Sequence, residues 1–486
     1  MPGRSADEQR LKRLFHCFEC EGEYFLVDVQ RQRFFAIHPA VYHLFWGPEG
    51  DFVESARASA RFGPRTLVKA RQFLAELAES SGDGSLPFRE EQIIACYRRA
   101  PITTVNLIVS YACNLRCSYC YARELVRRAG PPLRMSVEIA RRAVDRFLQS
   151  CHEAEPRTIT FKFSGGGEPL TNSAVVREVI EYASAHRLAK GLDVRFKMST
   201  NGLLLDDAML RLFEACGGQI KISIDGPREI HQRARFGEEK QAGREFDRLL
   251  ENIGRALAVL TPSRAVAAIT LQRAEDIPEV FSFVLGLGFR RIKSQRAILP
   301  ETDPVTFDPQ RAKGDARIFL TSYLDALRPY LRGEAPLADR PRYEAIDMYL
   351  EGINRREHRR HVACYGGLFD CAVAPDGGIY TCNRFAESAT HRIGHVSEGL
   401  DEARREQFCR TTNIFHRPAC QDCWLVYWCG GNCNYQNYVE TGSMLQPSPA
   451  TCCAIRAHFE YLIWFYARLR RDHPEVLRAI VRDGVF

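Results

Sequence analysis

Three cysteines stand close together near the end of the first quarter of the chain, at Cys113, Cys117 and Cys120. Their spacing, C-x3-C-x2-C, places three thiols on one short loop directly after the apolar run at 105–109. Three thiolates can hold three corners of an iron–sulfur cube and leave the fourth iron without a protein ligand. An open metal position is a place where a substrate can bind and be activated. The spacing favours such a cluster, with part of a zinc site as the alternative.

Small and polar residues follow the next three apolar stretches of the chain. Glycines at a strand end let the backbone approach a ligand closely, and a carboxylate beside them could dock an ammonium group. Hydroxyl, amide and carboxylate groups suit ribose hydroxyls and an amino-acid carboxylate, and an arginine can pair with that carboxylate. The residues concerned are Gly166, Gly167 and Glu168, then Ser199 and Asn201, then Ser223, Asp225 and Arg235.

A second concentration of cysteines begins at Cys364. Its centre has the spacing C-x2-C-x5-C-x3-C, which is typical of metal ligation. With one thiol to spare at the adjacent pair Cys452 and Cys453, eight thiols remain, enough for two clusters with four ligands each. Zinc is again the alternative. The residues are Cys364, Cys371, Cys382, Cys420, Cys423, Cys429, Cys433 and Cys452, with Gly377 placed for a hairpin turn before Cys382.

The elements that must position these groups alternate between strand and helix from 101 to 332. The hydrophobic pattern predicts strands at 103–110, 158–164, 194–200, 219–224, 264–271 and 290–297, with helices at 135–150, 173–188, 206–216, 243–259, 278–287 and 315–331. Six such repeats predict a parallel sheet that curves into a partial (β/α)6 TIM-like barrel. Active sites of these sheets lie at the carboxyl ends of the strands, where the first cysteine loop falls.

The remaining parts of the chain divide into four predicted regions. Residues 1–95 contain two strands followed by helices, as in a winged-helix-like module. Residues 333–363 form a helical bridge, 364–455 a cysteine-rich iron–sulfur domain, and 456–486 a C-terminal helix that packs back on the body. The predicted class is therefore α/β, with a small module before the barrel and a metal domain after it.

Composition limits the possible functions. The 486 residues are 45% hydrophobic and 26% charged, which suits a folded chain of several domains. The net charge of +7 is spread along the chain without a dense Lys/Arg run, so we expect no nucleic-acid partner. No signal peptide or membrane-length apolar stretch is visible, and we expect a cytoplasmic protein. In a cytosolic chain of this size, 18 cysteines indicate metal rather than disulfides.

Together these motifs resemble those of the radical S-adenosylmethionine (SAM) enzymes. The resemblance rests on the C-x3-C-x2-C loop with an aromatic before its last cysteine, and on Gly-Gly-Glu-Pro, Ser-Thr-Asn-Gly and Ser-Ile-Asp-Gly-Pro at successive strand ends. The later cysteines, with Gly377-x4-Cys382, resemble the SPASM extension of that superfamily. The region covered is roughly 101–455. The first 95 residues are similar to the peptide-recognition module of ribosomal-peptide maturases.

The resemblance implies three [4Fe–4S] clusters and SAM as cofactors. Cys113, Cys117 and Cys120 would hold the cluster that chelates SAM, with Gly166, Gly167 and Glu168 at its amino group. Ser199 and Asn201 would face its methionyl or ribose part, and Ser223, Asp225 and Arg235 would complete the carboxylate and ribose contacts. The first auxiliary cluster would take Cys364, Cys371, Cys382 and Cys433. The second would take Cys420, Cys423, Cys429 and Cys452, with Cys453 as the competing choice.

The implied activity is cleavage of SAM to a 5′-deoxyadenosyl radical that removes a hydrogen atom from a precursor peptide, followed by a crosslink. A thioether is the first expectation, and a carbon–carbon or carbon–oxygen bond is the next. The implied partners are a precursor peptide, whose leader adds to the N-terminal module, and a flavodoxin or ferredoxin-type electron donor. Sulfatase-maturing relatives carry an aspartate base directly after the equivalent of Cys382, where this chain has Asn383. Maturation of a sulfatase or of a quinohemoprotein amine dehydrogenase subunit, and an iron–sulfur DNA-binding regulator, are the alternatives.

Overall fold

The computed structural model describes residues 14–45, 61–79, 90–98, 100–129, 133–152, 157–235, 242–297, 308–355 and 359–482. Most strands belong to one eleven-stranded sheet, whose neighbours follow the order β10-β9-β8-β7-β6-β5-β4-β11-β12-β13-β14. The strands of this sheet are β4 Thr104–Leu107, β5 Thr158–Phe163, β6 Asp193–Thr200, β7 Gln219–Ser223, β8 Ala265–Leu271, β9 Arg291–Arg296, β10 Arg342–Tyr343, β11 Asp370–Val373, β12 Gly378–Tyr380, β13 Arg392–His395 and β14 Gly399–Leu400. Strands β4 to β9 are the six predicted ones, and each pairs in parallel with its neighbour.

The helices of the barrel lie between these strands as predicted. Along each strand, one residue in two is apolar and packs against a helix, as Phe161, Phe196, Met198 and Ile222 do. The intervening residues face the other side of the sheet, which is the barrel lumen. The helices of this region are α4 Ala122–Arg128, α5 Val137–His152, α6 Ser173–Ala185, α7 Asp207–Ala215, α8 Arg228–Gln232, α9 Ala242–Val259, α10 Ile277–Gly286 and α11 Pro309–Leu331.

The N-terminal region forms a separate three-stranded antiparallel sheet in the order β1-β2-β3. Its strands are β1 Phe15–Cys20, β2 Glu23–Asp28 and β3 Arg33–Ala36, and helices α1 Pro39–Phe45, α2 Pro64–Glu79 and α3 Glu90–Arg98 follow. The pattern predicted β2, β3 and the first two helices but did not predict β1. The central strand β2 is buried because β1 and β3 flank it, whereas β3 is largely exposed. Residues 1–13, 46–60 and 80–89 of the predicted 1–95 module lie outside the described residues.

The cysteine-rich region continues the barrel sheet. Strand β11 pairs in parallel with β4, so Asp370 lies beside Thr104 and Cys371 beside Val105. A hairpin at Gly377, with φ +90°, joins β11 to β12, which confirms the turn predicted there. The helices after the barrel are α12 Glu344–Arg355, α13 Glu402–Thr412, α14 Pro418–Gln421, α15 Val426–Cys429, α16 Asn434–Thr441, α17 Pro449–Asp472 and α18 Pro474–Arg482.

Helix α17 packs along α11 and also reaches β1, so the C-terminal helix returns to the body as predicted. It begins at Pro449, several residues before the predicted start, because Ser448 caps it by accepting a hydrogen bond from the amide of Thr451 at 3.2 Å. No described helix is both long and apolar enough to cross a membrane.

Candidate active site

The loop with the first three cysteines leaves the carboxyl end of β4 and is fixed to the barrel by backbone hydrogen bonds. The amide of Ser118 donates to the carbonyl of Ala234 at 2.8 Å, and the amide of Cys120 donates to the carbonyl of Cys117 at 3.2 Å. The three thiols are neighbours: burial, and then the negative charges of Cys120 and Cys113, raise the pKa of Cys117 to about 11, against a lowering effect of Arg235.

The three thiols lie on one loop at the carboxyl end of β4. Within the described ranges, no three His, Cys, Asp or Glu side chains surround a common metal position. Thiolates of an iron–sulfur cube bind different irons and need not converge on one point. The donor set therefore fits a [4Fe–4S] cluster.

The glycine-rich end of β5 lies directly against this loop. The amide of Gly167 donates to the carbonyl of Ser110 at 2.8 Å, and the amide of Glu168 donates to the carbonyl of Ala112 at 2.9 Å. A Cβ atom on Gly167 would overlap the carbonyl oxygen of Ala112, and one on Gly166, at φ +134°, would lie 2.5 Å from Ile108. Glycine is required here because the two strand ends touch through their backbones.

The carboxylate of Glu168 holds neighbouring strand ends together. It accepts hydrogen bonds from the hydroxyl of Thr200 at 2.7 Å and from the amides of Asn201 at 2.7 Å and Leu170 at 3.1 Å. Only 2% of Glu168 is exposed, and burial raises its pKa although these three donors oppose that shift. These hydrogen bonds join the ends of β5 and β6, and the predicted contact of Glu168 with an amino group stays a prediction, because a carboxylate can accept a further hydrogen bond. The adjoining glycine backbone remains free to provide such a contact.

Asp225 and Arg235 form a buried ion pair that connects the cysteine loop to the neighbouring strands. The guanidinium of Arg235 donates to the carboxylate of Asp225 at 2.7 and 3.3 Å, and the hydroxyl of Tyr119 donates to it at 2.5 Å. The amide of Thr270 adds a fourth hydrogen bond at 2.8 Å, and Asp225 is 2% exposed. Tyr119 lies between Cys117 and Cys120. Asp225 therefore positions the cysteine loop against β7 and β8, and its predicted part in the carboxylate and ribose contacts stays a prediction.

The other predicted residues face open space at the same end of the barrel. Ser199 and Ser223 are half-buried and lie on the lumen side of β6 and β7. The side-chain amide of Asn201 donates to the side-chain oxygen of Asn114 in the cysteine loop at 2.7 Å. A narrow cleft lies beside Asn201 and Arg235 and reaches Leu115 of the same loop. The structure thus brings the cysteine loop and three strand ends to one face.

The later cysteines form two groups, and one predicted member joins neither. Burial, and then the thiols of Cys364 and Cys433, raise the pKa of Cys382 to about 12. Cys371 is fully buried, and the charged groups that shift its pKa are Asp370 and Arg405, with no thiol among them. Asp370 faces the lumen, so the next residue on β11 must point to the opposite side, into the core. This geometry favours Cys364, Cys382 and Cys433 as the ligands of the predicted first auxiliary cluster, and a ligand role of Cys371 stays a prediction.

The second group contains the four predicted thiols. Burial, followed by Cys423, Cys429 and Cys452, raises the pKa of Cys420 to about 12. The charged neighbours of Cys453 are instead Arg456, Glu460, Asp308 and Lys313. These neighbours favour Cys452 over Cys453, and the choice between them stays a prediction.

A buried arginine that the sequence analysis did not identify lies between the two groups. Arg417 has no exposed surface, and it donates to the carbonyls of Gly431 and Met444 at 2.8 Å. Burial lowers its pKa, while the nearby thiols of Cys420, Cys429, Cys364 and Cys433 oppose that shift. Such a cation would reduce the repulsion between two anionic clusters if these thiols hold them. Its position three residues before Cys420 carries no sequence signal, since it depends on a chain reversal at 417–431.

Comparison with known proteins agrees with this geometry. Residues 107–284 match the family model of the radical SAM superfamily. The cysteine-type anaerobic sulfatase-maturating enzyme of Clostridium novyi (strain NT) is 22% identical over 335 residues, which are 66% of this chain and 84% of that protein. The solved structure "Native anSMEcpe with bound AdoMet" superposes with a TM-score of 0.60 at 19% identity, covering 75% of this chain and 98% of that one. "Native anSMEcpe with bound AdoMet and Cp18Cys peptide" superposes with a TM-score of 0.58 at 20% identity, covering 76% and 100%.

Proposed function

The chain is an enzyme of the radical SAM superfamily, and we propose that it is a maturase of a precursor peptide, in which it installs a crosslink. The observation that carries this proposal is the N-terminal sheet. Within the described residues, β3 pairs with β2 on one edge and with no strand on the other. Its side chain at Phe35 is 44% exposed. An open edge with exposed apolar residues can accept an extended leader peptide as an added strand.

The N-terminal sheet packs beside the second set of later cysteines, which contains Cys420, Cys423, Cys429 and Cys452. The ring of His16 stacks on Trp424, the neighbour of Cys423, at 4.3 Å, and His16 contacts Glu460 of α17 at 3.1 Å. The hydroxyl of Tyr461 donates to Glu21 at 2.9 Å. A leader bound to β3 would therefore be held on the same folded unit as the cysteine sets. This supports delivery of the peptide segment that follows the leader to the barrel.

The cofactors would be SAM and three [4Fe–4S] clusters. One cluster would be held by Cys113, Cys117 and Cys120, and the other two by the two sets of later cysteines. When bound, SAM and the cluster at Cys113, Cys117 and Cys120 supply a 5′-deoxyadenosyl radical that removes a hydrogen atom from the substrate. The residues of the chain join the strand ends and orient the cysteine loop. A thioether is the favoured product because Cys364, Cys382 and Cys433 leave one coordination position for a substrate thiolate. A flavodoxin or ferredoxin-type protein would provide the electron.

Maturation of a sulfatase is the second candidate, and the names of the similar proteins favour it. Against it stands Asn383, whose side chain lies at the tip of the glycine loop. Its amide donates to the hydroxyl of Tyr121 at 2.7 Å, and a Cβ atom on Gly165 would overlap this side chain. Position 383 thus faces the site, and an amide there cannot accept a proton as an aspartate can.

The direct test combines SAM cleavage with a peptide. The anaerobically reconstituted protein, given SAM and dithionite, should form 5′-deoxyadenosine. Co-expression with the product of a short cysteine-bearing reading frame beside the gene should yield a peptide lighter by about 2 Da, because closing one bond removes two hydrogens. Absence of 5′-deoxyadenosine would contradict the assignment of radical SAM activity to this chain. Reaction with a sulfatase-derived cysteine peptide, and not with the neighbouring product, would favour the second candidate.

Iron content tests the assignment of the thiols. Three clusters correspond to about 12 irons per chain, and the double variant Cys420→Ala with Cys423→Ala should lower that number by about 4 because it leaves only two of four ligands. Cys371→Ala should leave iron content unchanged, since its side chain points into the core, and should cost only about 1 kcal/mol of stability. Equal loss of iron in the two variants, measured by iron analysis and by the visible absorbance of the clusters, would restore Cys371 as a ligand.

A further inference from the structure

The barrel lumen contains a layer of lysines that neither the sequence motifs nor the proposed chemistry uses. Lys162, Lys197 and Lys221 each stand four residues before a strand-end residue of the site, namely Gly166, Asn201 and Asp225. Because side chains at i, i+2 and i+4 of a strand share one face, these lysines point into the same lumen as the site. Lys162, Lys197 and Lys221 lie one, three and two residues before the ends of β5, β6 and β7. At about 3.3 Å per residue, their backbones therefore lie roughly 3 to 10 Å below the strand ends. Between the two layers lie Ser164, Ser199 and Ser223.

A fourth lysine completes the layer from β9. Ile292 packs in the core among the helices, so the next residue, Lys293, faces the lumen, and it is exposed. Its charge is one of those that lower the pKa of Lys221, which places the two ammonium groups close together. The open side of the partial barrel therefore gives solvent, and hence a substrate, access to the lysines.

The charges in this layer do not balance. Lys162 pairs with Asp370 at 3.1 Å, while Lys221 at 3.3 Å and Arg291 at 3.0 Å share Glu344. Within the described ranges, Lys197 and Lys293 make no ion pair. Among the described residues, the four lysines and Arg291 therefore have only Asp370 and Glu344 as ion-pair partners.

The arrangement is unfavourable for the empty protein. Lys162 and Lys197 are direct partners in the parallel ladder between β5 and β6, and like charges at paired positions destabilise a sheet. Burial and then Lys162 lower the pKa of Lys197, and burial and then Lys293 lower that of Lys221 to about 7. If these side chains served only to stabilise the fold, neutral residues would suffice in these positions. An incoming anion would relieve the repulsion and favour the charged lysines.

We propose that Lys162, Lys197, Lys221 and Lys293 form a binding site for a carboxylate side chain of the substrate, so that the peptide carries an aspartate or glutamate near the residue that is modified. The identity of the carboxylate as part of a peptide rests on the proposed function, whereas the anion site itself does not. The site would position the peptide below the strand ends, with the serine layer between this carboxylate and SAM.

The test is lysine-resolved competitive labelling of the full, cluster-loaded chain. A trace amount of an amine-reactive acetylating reagent is added with glutarate, with its neutral analogue glutaramide or with inorganic phosphate, and each lysine is followed by mass spectrometry. Glutarate at three times its dissociation constant should slow acetylation of Lys197, Lys221 and Lys293 about fourfold. Glutaramide should have no effect, and the exposed Lys190 should react equally in all samples. Stronger protection by phosphate than by glutarate would overturn the proposal in favour of a phosphate site.

Variants separate the site from general structural effects. Lys197→Gln should abolish the protection of Lys221 by glutarate, Lys197→Arg should retain it, and Lys190→Gln should behave as the wild type. Unchanged protection in Lys197→Gln would contradict the proposal. None of these measurements needs SAM or a reductant. Absence of protection together with normal 5′-deoxyadenosine formation would therefore refute only the anion site, whereas normal protection without 5′-deoxyadenosine would refute only the proposed function.

Discussion

Replacing Cys117 with alanine is expected to abolish the formation of 5′-deoxyadenosine from SAM. Cys117 is 9% exposed and is the central thiol of a loop that offers three. Loss of a residue that only supports a metal ligand already costs 10- to 100-fold in affinity or activity, so loss of a ligand should cost more than about 100-fold. The product is measured by liquid chromatography after incubation with SAM and dithionite, together with iron content.

Cys151→Ala provides the control for this prediction. Cys151 is also a buried thiol, on α5, and it donates to the carbonyl of Ile102 at 3.2 Å, away from the loop. Its loss should reduce stability by about 1–2 kcal/mol and leave 5′-deoxyadenosine formation near the wild-type level. Equal losses in both variants would mean that Cys117 acts through folding alone, and unchanged activity in Cys117→Ala would remove the loop from the chemistry.

The barrel could be predicted from the sequence because its strands carry two local signals. Residues such as Phe161 and Phe196 alternate with polar ones, and each strand is followed by a helix with apolar residues at helical spacing. The six observed strands accordingly lie within the predicted ones, or within a residue of them. Strand β1 was missed because its sequence, FHCFEC, lacks a clear alternation, and its burial comes from packing on α17.

The roles of individual site residues could not be predicted, since they depend on contacts across the fold. The sequence Gly-Gly-Glu-Pro does not show that the carboxylate of Glu168 joins two strand ends. Spacing alone also gave eight suitable thiols in the later part of the chain. It could not show that β11 pairs with β4, which is what turns Cys371 into the core. The lysine layer was missed because its residues are far apart in sequence and only the barrel brings them together.

Replacing Asp225 with alanine is expected to have the second-largest effect. The variant leaves the guanidinium of Arg235 without its partner in a closed site, which typically costs about 3–5 kcal/mol. Burial alone would lower the pKa of Arg235, but Asp225 outweighs it and the pKa is raised, so this side chain stays charged. The cysteine loop also loses the hydrogen bond that the hydroxyl of Tyr119 donates to Asp225. We expect a lower melting temperature of the reconstituted protein and a loss of 5′-deoxyadenosine formation of more than about 10-fold.

Two further variants distinguish a positioning role of Asp225 from direct contact with SAM. Tyr119→Phe removes one hydrogen bond to the carboxylate and should cost about 1 kcal/mol, with most activity retained. The double variant Asp225→Ala with Arg235→Ala removes both charges, so its melting temperature should recover toward that of the wild type, because no charge is left buried without a partner. If Asp225 instead contacted SAM, the single variant would melt like the wild type in the absence of SAM and would lose only SAM affinity. Melting curves recorded with and without SAM therefore decide between the two roles.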